Sequence, residues 1–341
     1  MTVSTQVSTS APQPPAAAAE APPEVRRGLP PGLWQTLGPA AVFVVLFGIT
    51  AALQPAILSG VGPINLTTQA TAILLVALGQ AAVLHVGSID LSNAASAVLG
   101  AMVLAKLLGP TAVAAPVLTL VVMALIGAVN GLLVAFTQVP SFALTLGTLG
   151  VLQAASLVVS DNTTVYASSN GEVVSWLFIQ AFAGLPVAFW FAVVVAVLFW
   201  LVLRRTSLGQ ALTAVGLNET AAVFSGLRTR WLKVAAFSFS GLMAGAAGIC
   251  IISQAGAASS FGLGSDLLLP GIAAALIGGV AITGGRTNPV GVVFGALTVA
   301  LVPIAATALG VTPQARSLVY GAVVIAAVAL TASRAKGAVV K

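Results

Sequence analysis

Two long stretches without a charged side chain limit this chain more than any other feature. Residues 28–89 and residues 107–160 contain no Asp, Glu, Lys or Arg. A helix crosses the hydrocarbon core of a membrane with about 20 apolar residues, so each stretch is long enough to cross more than once. Charged residues make up only 6% of the whole chain, whereas soluble proteins carry about 25%. The sequence therefore predicts an all-α, polytopic membrane protein.

Polar, Gly and Pro breaks divide the apolar sequence into about ten predicted transmembrane helices. The predicted spans are 36–54, 65–86, 91–109, 112–137, 140–159, 186–203, 234–254, 267–283, 289–309 and 318–333. Between the fifth and sixth spans, residues 160–183 are of mixed character and suit the membrane interface. The membrane domain is placed at residues 34–333, between a Pro- and Ala-rich tail (1–33) that cannot bury a core and a short tail (334–341).

The distribution of basic residues predicts the orientation of the chain in the membrane. With the N-terminus inside, eleven of the thirteen Lys and Arg residues fall in cytoplasmic segments, and only Lys106 and Arg316 fall outside. Because basic residues are retained on the cytoplasmic side, both termini are predicted to be cytoplasmic. The net charge of +6 therefore reports orientation and gives no reason to expect nucleic-acid binding.

Residues 204–233 form the longest polar island, and they carry five of the basic residues. Within this 204–233 segment, Asn218 suits a helix N-cap, Glu219 complements the helix dipole, and Gly226 suits a helix stop. The predicted helix 219–225 has only about two turns, which is too short to be stable alone in water.

The small residues on this short helix predict that a partner protein approaches its backbone closely. These residues are Ala221, Ala222, Ser225 and Gly226. Glu219 is open to two interpretations: it complements the dipole only, or it also meets a basic residue of the partner.

The run VGSIDLS, residues 86–92, is the most distinctive polar run outside the island. Asp90 is favoured at a helix start by the dipole, and Ser92 and Asn93 are expected to satisfy free N–H groups. One interpretation is a structural cap. The other places all three in a translocation path or gate, since ionisable residues at membrane depth tend to be functional. His85 is interpreted either as a partner of Asp90 or as a satisfied structural residue.

Two glycine-rich motifs and a similarity between two segments of the chain give two further predictions. Gly278-Gly279 and Gly284-Gly285-Arg286 indicate close helix packing and a cytoplasmic turn, because a phosphate-binding loop would need a preceding strand that is missing here. The segments 87–100 and 264–278 both place an aspartate before a span rich in small residues. This similarity between the two segments predicts an inverted repeat of two five-helix halves, a pattern found in transporters.

The composition excludes several kinds of chemistry. One cysteine and one histidine provide neither a disulfide framework nor a His/Cys zinc site. No Walker A motif is present, so the chain does not bind ATP by that route. No catalytic residue, metal or cofactor is therefore predicted.

Three segments together resemble the permeases of ABC-type monosaccharide importers, the ribose, xylose and autoinducer-type members of the branched-chain and sugar permease superfamily. The segments are VGSIDLS, RTSLGQALTAVGLNETAAVFSGL and AALIGGVAITGGRTNPVGVVFGAL, in that order. The resemblance runs from about residue 40 to residue 333. Ser88 departs from it, since glycine is usual there.

The resemblance implies a coupling region that reads G-x-N-x-x-A-A-x-x-S-G-[IL]. The matching residues in this chain are Gly216, Asn218, Ala221, Ala222, Ser225, Gly226 and Leu227. It implies a permease that moves a monosaccharide or a related small polar solute into the cell and performs no chemistry itself. The implied partners are cytosolic ATP-binding subunits, a substrate-binding protein, a second permease subunit, identical or different, and the membrane lipid.

Two alternatives remain at the level of the sequence. A secondary transporter driven by protons or sodium would be expected to carry several ionisable residues within the membrane, whereas here only Asp90, His85 and Asp266 qualify. A membrane-embedded enzyme would show a cluster of His, Asp, Glu, Ser or Cys at one depth, and no such cluster is visible.

Overall fold

The computed structural model describes residues 31–137, 139–259 and 265–312, together with residues 315, 318, 321, 322 and 325. The C-terminal tail 334–341, nearly all of the tail 1–33 and most of the span 318–333 lie outside the described residues. Twelve α-helices are found in the described part. They are α1 Pro31–Leu53, α2 Val61–His85, α3 Asn93–Thr111, α4 Ala115–Thr137, α5 Ser141–Ser160, α6 Glu172–Ile179, α7 Val187–Arg205, α8 Ser207–Leu217, α9 Glu219–Phe224, α10 Thr229–Ala255, α11 Leu268–Ile277 and α12 Pro289–Ala308.

Strand structure in the described part is limited to two short antiparallel pairs. β1 Val165–Tyr166 pairs with β4 Ala257–Ala258, and β2 Ala181–Phe182 pairs with β3 Leu185–Pro186. The first pair joins the loop after α5 to the end of α10, and the second forms the hairpin that leads into α7. Everything else regular is helical, which confirms the all-α prediction.

The helices are long and apolar enough to confirm a polytopic membrane protein. Six stretches of the described residues meet the requirement for a membrane crossing, and one of them contains both α3 and α4. They are Val61–His85, Asn93–Thr137, Ser141–Ser160, Val187–Arg205, Thr229–Ala255 and Pro289–Ala308. The predicted first span, 36–54, coincides with most of α1.

The predicted eighth span, 267–283, is shorter as a helix than expected. α11 ends at Ile277 after ten residues, which at 1.5 Å per residue is about half of a hydrocarbon core that is about 30 Å thick. Gly278 caps the helix, and Gly279 follows with a φ of 89°, a conformation that glycine adopts at little cost. The glycine pair that was expected to allow helix packing therefore also breaks the helix.

At the centre of the bundle, α10 packs against α2, α3 and α4, and α12 packs against α1, α2 and α11. Glycine makes the closest of these approaches possible. A Cβ atom added to Gly127 of α4 would clash with the Phe237 carbonyl oxygen and lie 3.0 Å from the Gly241 nitrogen. A Cβ added to Gly241 of α10 would clash in turn with the Met123 carbonyl oxygen. Both helices carry Gly-x-x-x-Gly, the spacing that lets membrane helices touch backbone to backbone.

The outer helices expose apolar side chains in the described structure. Large examples are Val121 and Leu125 on α4, Val158 on α5 and Val194 on α7. An apolar outer surface is what a membrane-spanning bundle presents to lipid tails.

We expect Gly127→Ala to destabilise the folded protein by about 1–3 kcal/mol, because overpacking a tight helix contact forces the backbones apart. Thermal unfolding of the purified protein in detergent measures the change. Gly147→Ala is the matched control, since Gly147 lies in α5 and a Cβ there meets nothing within 4 Å. Equal midpoints for the two variants would contradict the close α4–α10 contact.

Candidate functional site

The 204–233 segment folds into two consecutive helices, α8 and α9, whose ends are set by local capping. The Thr206 hydroxyl accepts a hydrogen bond from the Gly209 nitrogen at 3.1 Å and caps α8. The Asn218 side chain accepts one from the Ala221 nitrogen at 3.0 Å and caps α9. Gly226 follows α9 with a φ of 81°. The predicted N-cap and stop are both confirmed, and α9 ends one residue earlier than expected.

The buried side of α9 faces the rest of this chain. Ala222 is 3% exposed and belongs to a cluster with Val86, Leu212, Val215 and Ala236. Ala221 and Ser225 are exposed, and the most prominent side chains of α9 are Phe224, 88% exposed, and Val223, 52% exposed. The prediction that a partner packs against the small residues therefore does not apply to Ala222, whose Cβ is covered by this chain.

Glu219 is paired within the chain. Its carboxylate lies 2.7 Å from the ammonium group of Lys233 on α10. The ion pair fastens the first turn of α9 to the start of α10, and it gives Glu219 a role in addition to complementing the helix dipole.

Gly216 lies where α8 meets two other parts of the chain. A Cβ atom at this position would clash with the His85 carbonyl oxygen at the end of α2 and with the Gly285 nitrogen. The Gly285 nitrogen donates a hydrogen bond to that same carbonyl oxygen at 2.8 Å. Gly216 is thus required for a close backbone approach of α8 to the end of α2 and to the turn after α11.

Asp90 lies in a buried network of hydrogen bonds at the start of α3. It is 3% exposed. Oδ1 accepts from the Ser92 nitrogen at 3.0 Å and from the Ser92 hydroxyl at 2.6 Å, and Oδ2 accepts from the Ser240 hydroxyl at 2.8 Å. Ser240 lies 11 residues after Thr229, the first residue of α10, and therefore about 16 Å along the helix axis. The loop of residues 86–92, the Asp90 loop, therefore turns back into the bundle.

Two asparagines extend the network to α4 and α10. Asn130 donates to the Ser92 hydroxyl at 2.9 Å, and Asn93 donates to the Ser240 carbonyl oxygen at 3.1 Å and hydroxyl at 2.5 Å. The Asn93 side-chain oxygen is buried without a hydrogen bond. The expectation that Ser92 and Asn93 satisfy free N–H groups of α3 is wrong, because both side chains are turned toward Asp90 and Ser240.

The backbone of the Asp90 loop is satisfied by side chains of α5. The Ile89 nitrogen donates to the Ser141 hydroxyl at 3.0 Å, and the Leu91 nitrogen donates to the Thr145 hydroxyl at 3.1 Å. A loop inside a membrane bundle needs such partners, since water is absent there.

His85 has a structural role and does not pair with Asp90. Its Nδ1 lies 2.9 Å from the Thr287 hydroxyl and its Nε2 lies 3.0 Å from the Thr213 hydroxyl. The predicted turn at Gly284-Gly285-Arg286 lies beside it, where Gly284 and Gly285 have φ values of 90° and 72°. The satisfied interpretation of the histidine and the predicted turn are both confirmed.

Several site residues went unnoticed in the sequence. Five of them are isolated serines or threonines, and residues of these two types are common in membrane proteins. They are Ser141, Thr145, Thr213, Ser240 and Thr287. Asn130 carried a usable signal, since it is the only amide side chain in the apolar α4.

The fold and site define a class: an α-helical, multi-pass membrane protein with a buried helix break at the Asp90 loop and a short helix displayed on a polar segment. The family model described as "Branched-chain amino acid transport system / permease component" matches residues 62–328. The chain belongs to this family.

Proteins similar to the chain over most of their length include three sugar permeases. The D-allose transport system permease protein of Escherichia coli is 32% identical, covering 87% of this chain and 91% of the relative. The ribose import permease protein of Bacillus subtilis is 30% identical, covering 88% and 93%. The fructose import permease protein of Rhizobium meliloti is 32% identical, covering 86% and 85%. No solved structure gives a significant match.

These findings confirm the resemblance to sugar-importer permeases and place the protein in the cell membrane as a multi-pass protein. They support this interpretation and not the ion-driven alternative.

We expect Asp90→Asn to lower the free energy of unfolding by about 1–3 kcal/mol, because the new amide N–H₂ would face the Ser92 or Ser240 hydroxyl and leave a buried donor unsatisfied. Thermal unfolding in detergent measures the effect. Asp266→Asn is the matched control, because Asp266 precedes α11 but is exposed. An Asp90→Asn protein as stable as the parent would show that the network does not support the fold.

Proposed function

We propose that this chain is the membrane-spanning permease subunit of an ABC importer that carries a monosaccharide or a related small polar solute into the cell. The observation that carries the proposal is family membership over residues 62–328 together with relatives named as allose, ribose and fructose permeases. The chain itself performs no chemical reaction in this proposal. Cytosolic subunits bind and hydrolyse ATP, and a substrate-binding protein delivers the solute.

The proposed membrane topology has ten spans with both termini in the cytoplasm. α2, α4 and α7 end, and α10 and α12 begin, on the side that carries α8 and α9. Contacts of α8 with the end of α2 and with Gly285 support this arrangement. The dense basic residues of the 204–233 segment support the cytoplasmic assignment of that side.

We also propose that the membrane domain, residues 34–333, is an inverted repeat. A long helix, a polar break with an aspartate and a helix of small residues follow one another at α2–α3 and again at α10–α11. In both places the helix after the break begins within three residues of the aspartate: Asn93 follows Asp90, and Leu268 follows Asp266. Discontinuous helices in corresponding halves are a common feature of transporters.

The coupling surface in this proposal is α9, with Asn218 holding its start and Gly226 ending it. Its Glu219 carboxylate is held by Lys233 and its Ala222 is held by the core, which fixes how α9 is displayed. Phe224 and Val223 then face outward, and an exposed aromatic side chain is a typical anchor for a protein partner. A second permease subunit, identical or different, completes the transporter.

Asp90, Ser92 and Asn93 are proposed to form part of the gate. Asp90 lies about 16 Å along α10 from its cytoplasmic start and is connected to α3, α4 and α10 through Ser92, Asn130 and Ser240. A displacement of any of these helices would have to break a hydrogen bond of this network.

We expect Phe224→Asp to weaken binding of the ATP-binding subunit at least about tenfold, because losing an aromatic anchor costs about 2 kcal/mol or more. Co-purification with the cognate ATP-binding subunit and ATP-driven sugar uptake into proteoliposomes measure the effect.

The matched control for this experiment is Tyr166→Asp. Tyr166 is an aromatic residue of β1 that is 67% exposed and lies at the other end of the bundle, so this variant should bind the ATP-binding subunit as the parent does. Normal binding and uptake by Phe224→Asp would show that α9 is not the coupling surface.

Single cysteines test the orientation. In a Cys250→Ala background, we expect Thr220→Cys to be protected from an impermeant thiol reagent in intact cells and Ser169→Cys to react with it, because the two exposed positions lie on opposite sides of the membrane. Permeabilised cells, in which both cysteines should react, provide the control. Reaction of Thr220→Cys from outside would reverse the proposed topology.

A further inference from the structure

Three segments that are far apart in the sequence meet at His85. This residue ends α2 and is 3% exposed. Its side chain is bonded to Thr213 of α8 on one side and to Thr287, just before α12, on the other. Its carbonyl oxygen accepts the Gly285 N–H at 2.8 Å. The histidine therefore contacts the 204–233 segment and the turn between α11 and α12 at the same time.

The hydrogen bonds at Thr213 assign the protonated nitrogen of the ring. The Thr213 hydroxyl lies 2.8 Å from the Gly209 carbonyl oxygen and donates its single hydrogen there. Toward His85 it can then only accept, so Nε2 carries the hydrogen and donates to Thr213. In the neutral ring Nδ1 is consequently an acceptor, and the Thr287 hydroxyl donates to it.

The backbone around this histidine is packed too closely to slide. A Cβ atom at Gly216 would clash with the His85 carbonyl oxygen and the Gly285 nitrogen, and one at Gly284 would lie 2.6 Å from the Gly216 carbonyl oxygen. Backbone packed this tightly moves as a unit, because interiors of this density do not deform gradually. This packing holds Thr213 of α8 beside the His85 ring, so a displacement of α8 acts on the end of α2 through the Thr213 hydrogen bond.

The end of α2 is in turn fixed to the Asp90 loop. The Gly87 nitrogen donates to the Leu84 carbonyl oxygen at 2.9 Å, and the Ser88 nitrogen donates to the Val83 carbonyl oxygen at 3.1 Å. Beyond Ser88, Asp90 is held by the buried network and the Leu91 nitrogen is held by Thr145 of α5. A continuous series of bonded groups thus leads from α8 through His85 to Asp90.

We propose that His85 is a positioning residue that couples the 204–233 segment to the Asp90 loop, through its hydrogen bond to Thr213. This inference rests on the proposed function, since it assumes that a partner ATPase moves α8 and α9. The bond to Thr213 joins His85 to the segment that moves, while the bond to Thr287 joins it to the turn between α11 and α12. The two bonds therefore have different roles: the first transmits the movement and the second anchors the ring.

Two amide substitutions separate these bonds. The side-chain amide of His85→Gln reaches the position of Nε2 and can still donate to Thr213, but it gives up Thr287. The shorter amide of His85→Asn reaches the position of Nδ1 and can still accept from Thr287, but it gives up Thr213. Both variants are neutral and keep the backbone bond to Gly285, so each serves as the control for the other.

The experiment measures sugar imported per ATP hydrolysed by the complete transporter in proteoliposomes, with the binding protein present. We expect the ratio to fall at least about 5-fold in His85→Asn, in the range of typical coupling between sites, and to stay near the parent value in His85→Gln. Thr213→Val should lower the ratio to a similar extent, and combining it with His85→Asn should add little, since both remove one interaction.

Equal ratios in the parent, His85→Asn and His85→Gln would overturn the proposal and leave His85 as a packing residue only. Equal losses in both amide variants would also overturn it, because the Thr213 bond would then have no special role. Thermal midpoints of the purified permeases show whether a variant is merely unfolded, and in that case Thr213→Val, which leaves His85 and its backbone bond to Gly285 in place, decides the outcome by the same ratio. A parent complex without ATP-driven sugar uptake would instead refute the proposed function.

Discussion

In the centre of the bundle, α10 lies close enough to α4 for the backbone of one helix to contact the backbone of the other. Gly127 and Gly241 permit this approach, since a Cβ atom at either would strike a carbonyl oxygen of the facing helix. Lipid tails are as apolar as leucine, so hydrophobic burial does little to hold helices together in a membrane, and close packing does that work. The position of α10 then fixes the position of Ser240, and with it the depth at which the Asp90 loop is bound.

Two segments of irregular backbone, the Asp90 loop and the turn after α11, take hydrogen bonds from other parts of the chain. The Asp90 loop obtains its hydrogen bonds from Ser141, Thr145 and the network around Asp90. The turn after α11 obtains one from the His85 carbonyl oxygen. Non-helical backbone is tolerated at membrane depth only with such partners. It also provides a transporter with segments that change conformation more readily than an intact helix, which is why breaks of this kind are found at transport pathways.

Because the chain belongs to a family of ABC-transporter permeases, the attachment of the 204–233 segment and the Asp90 loop are interpreted together. The 204–233 segment is firmly attached to the membrane domain by the Glu219–Lys233 ion pair, the Ala222 cluster and the close approach of Gly216. A rigid attachment lets a small movement of this segment reach the buried Asp90 loop, because packed cores transmit displacement and do not absorb it. His85 lies where that transmission would pass from the segment to the Asp90 loop.

The sequence alone determined the class of protein, the approximate positions of most long helices and the limits of α9 to within one residue. Charge-free runs marked α1, α2, α4 and α5, and Asn218 and Gly226 marked the limits of α9, because crossing lengths and caps depend on residues close together in the chain. It could not determine that Ala222 faces inward, that His85 bonds Thr213 and Thr287, or that Ser240 and Asn130 complete the Asp90 network. A hydroxyl in an apolar helix can always bond its own i−4 carbonyl, so its presence does not reveal a distant partner. Only the rotation and depth of each helix, set by close packing over the whole bundle, decided which polar side chains meet.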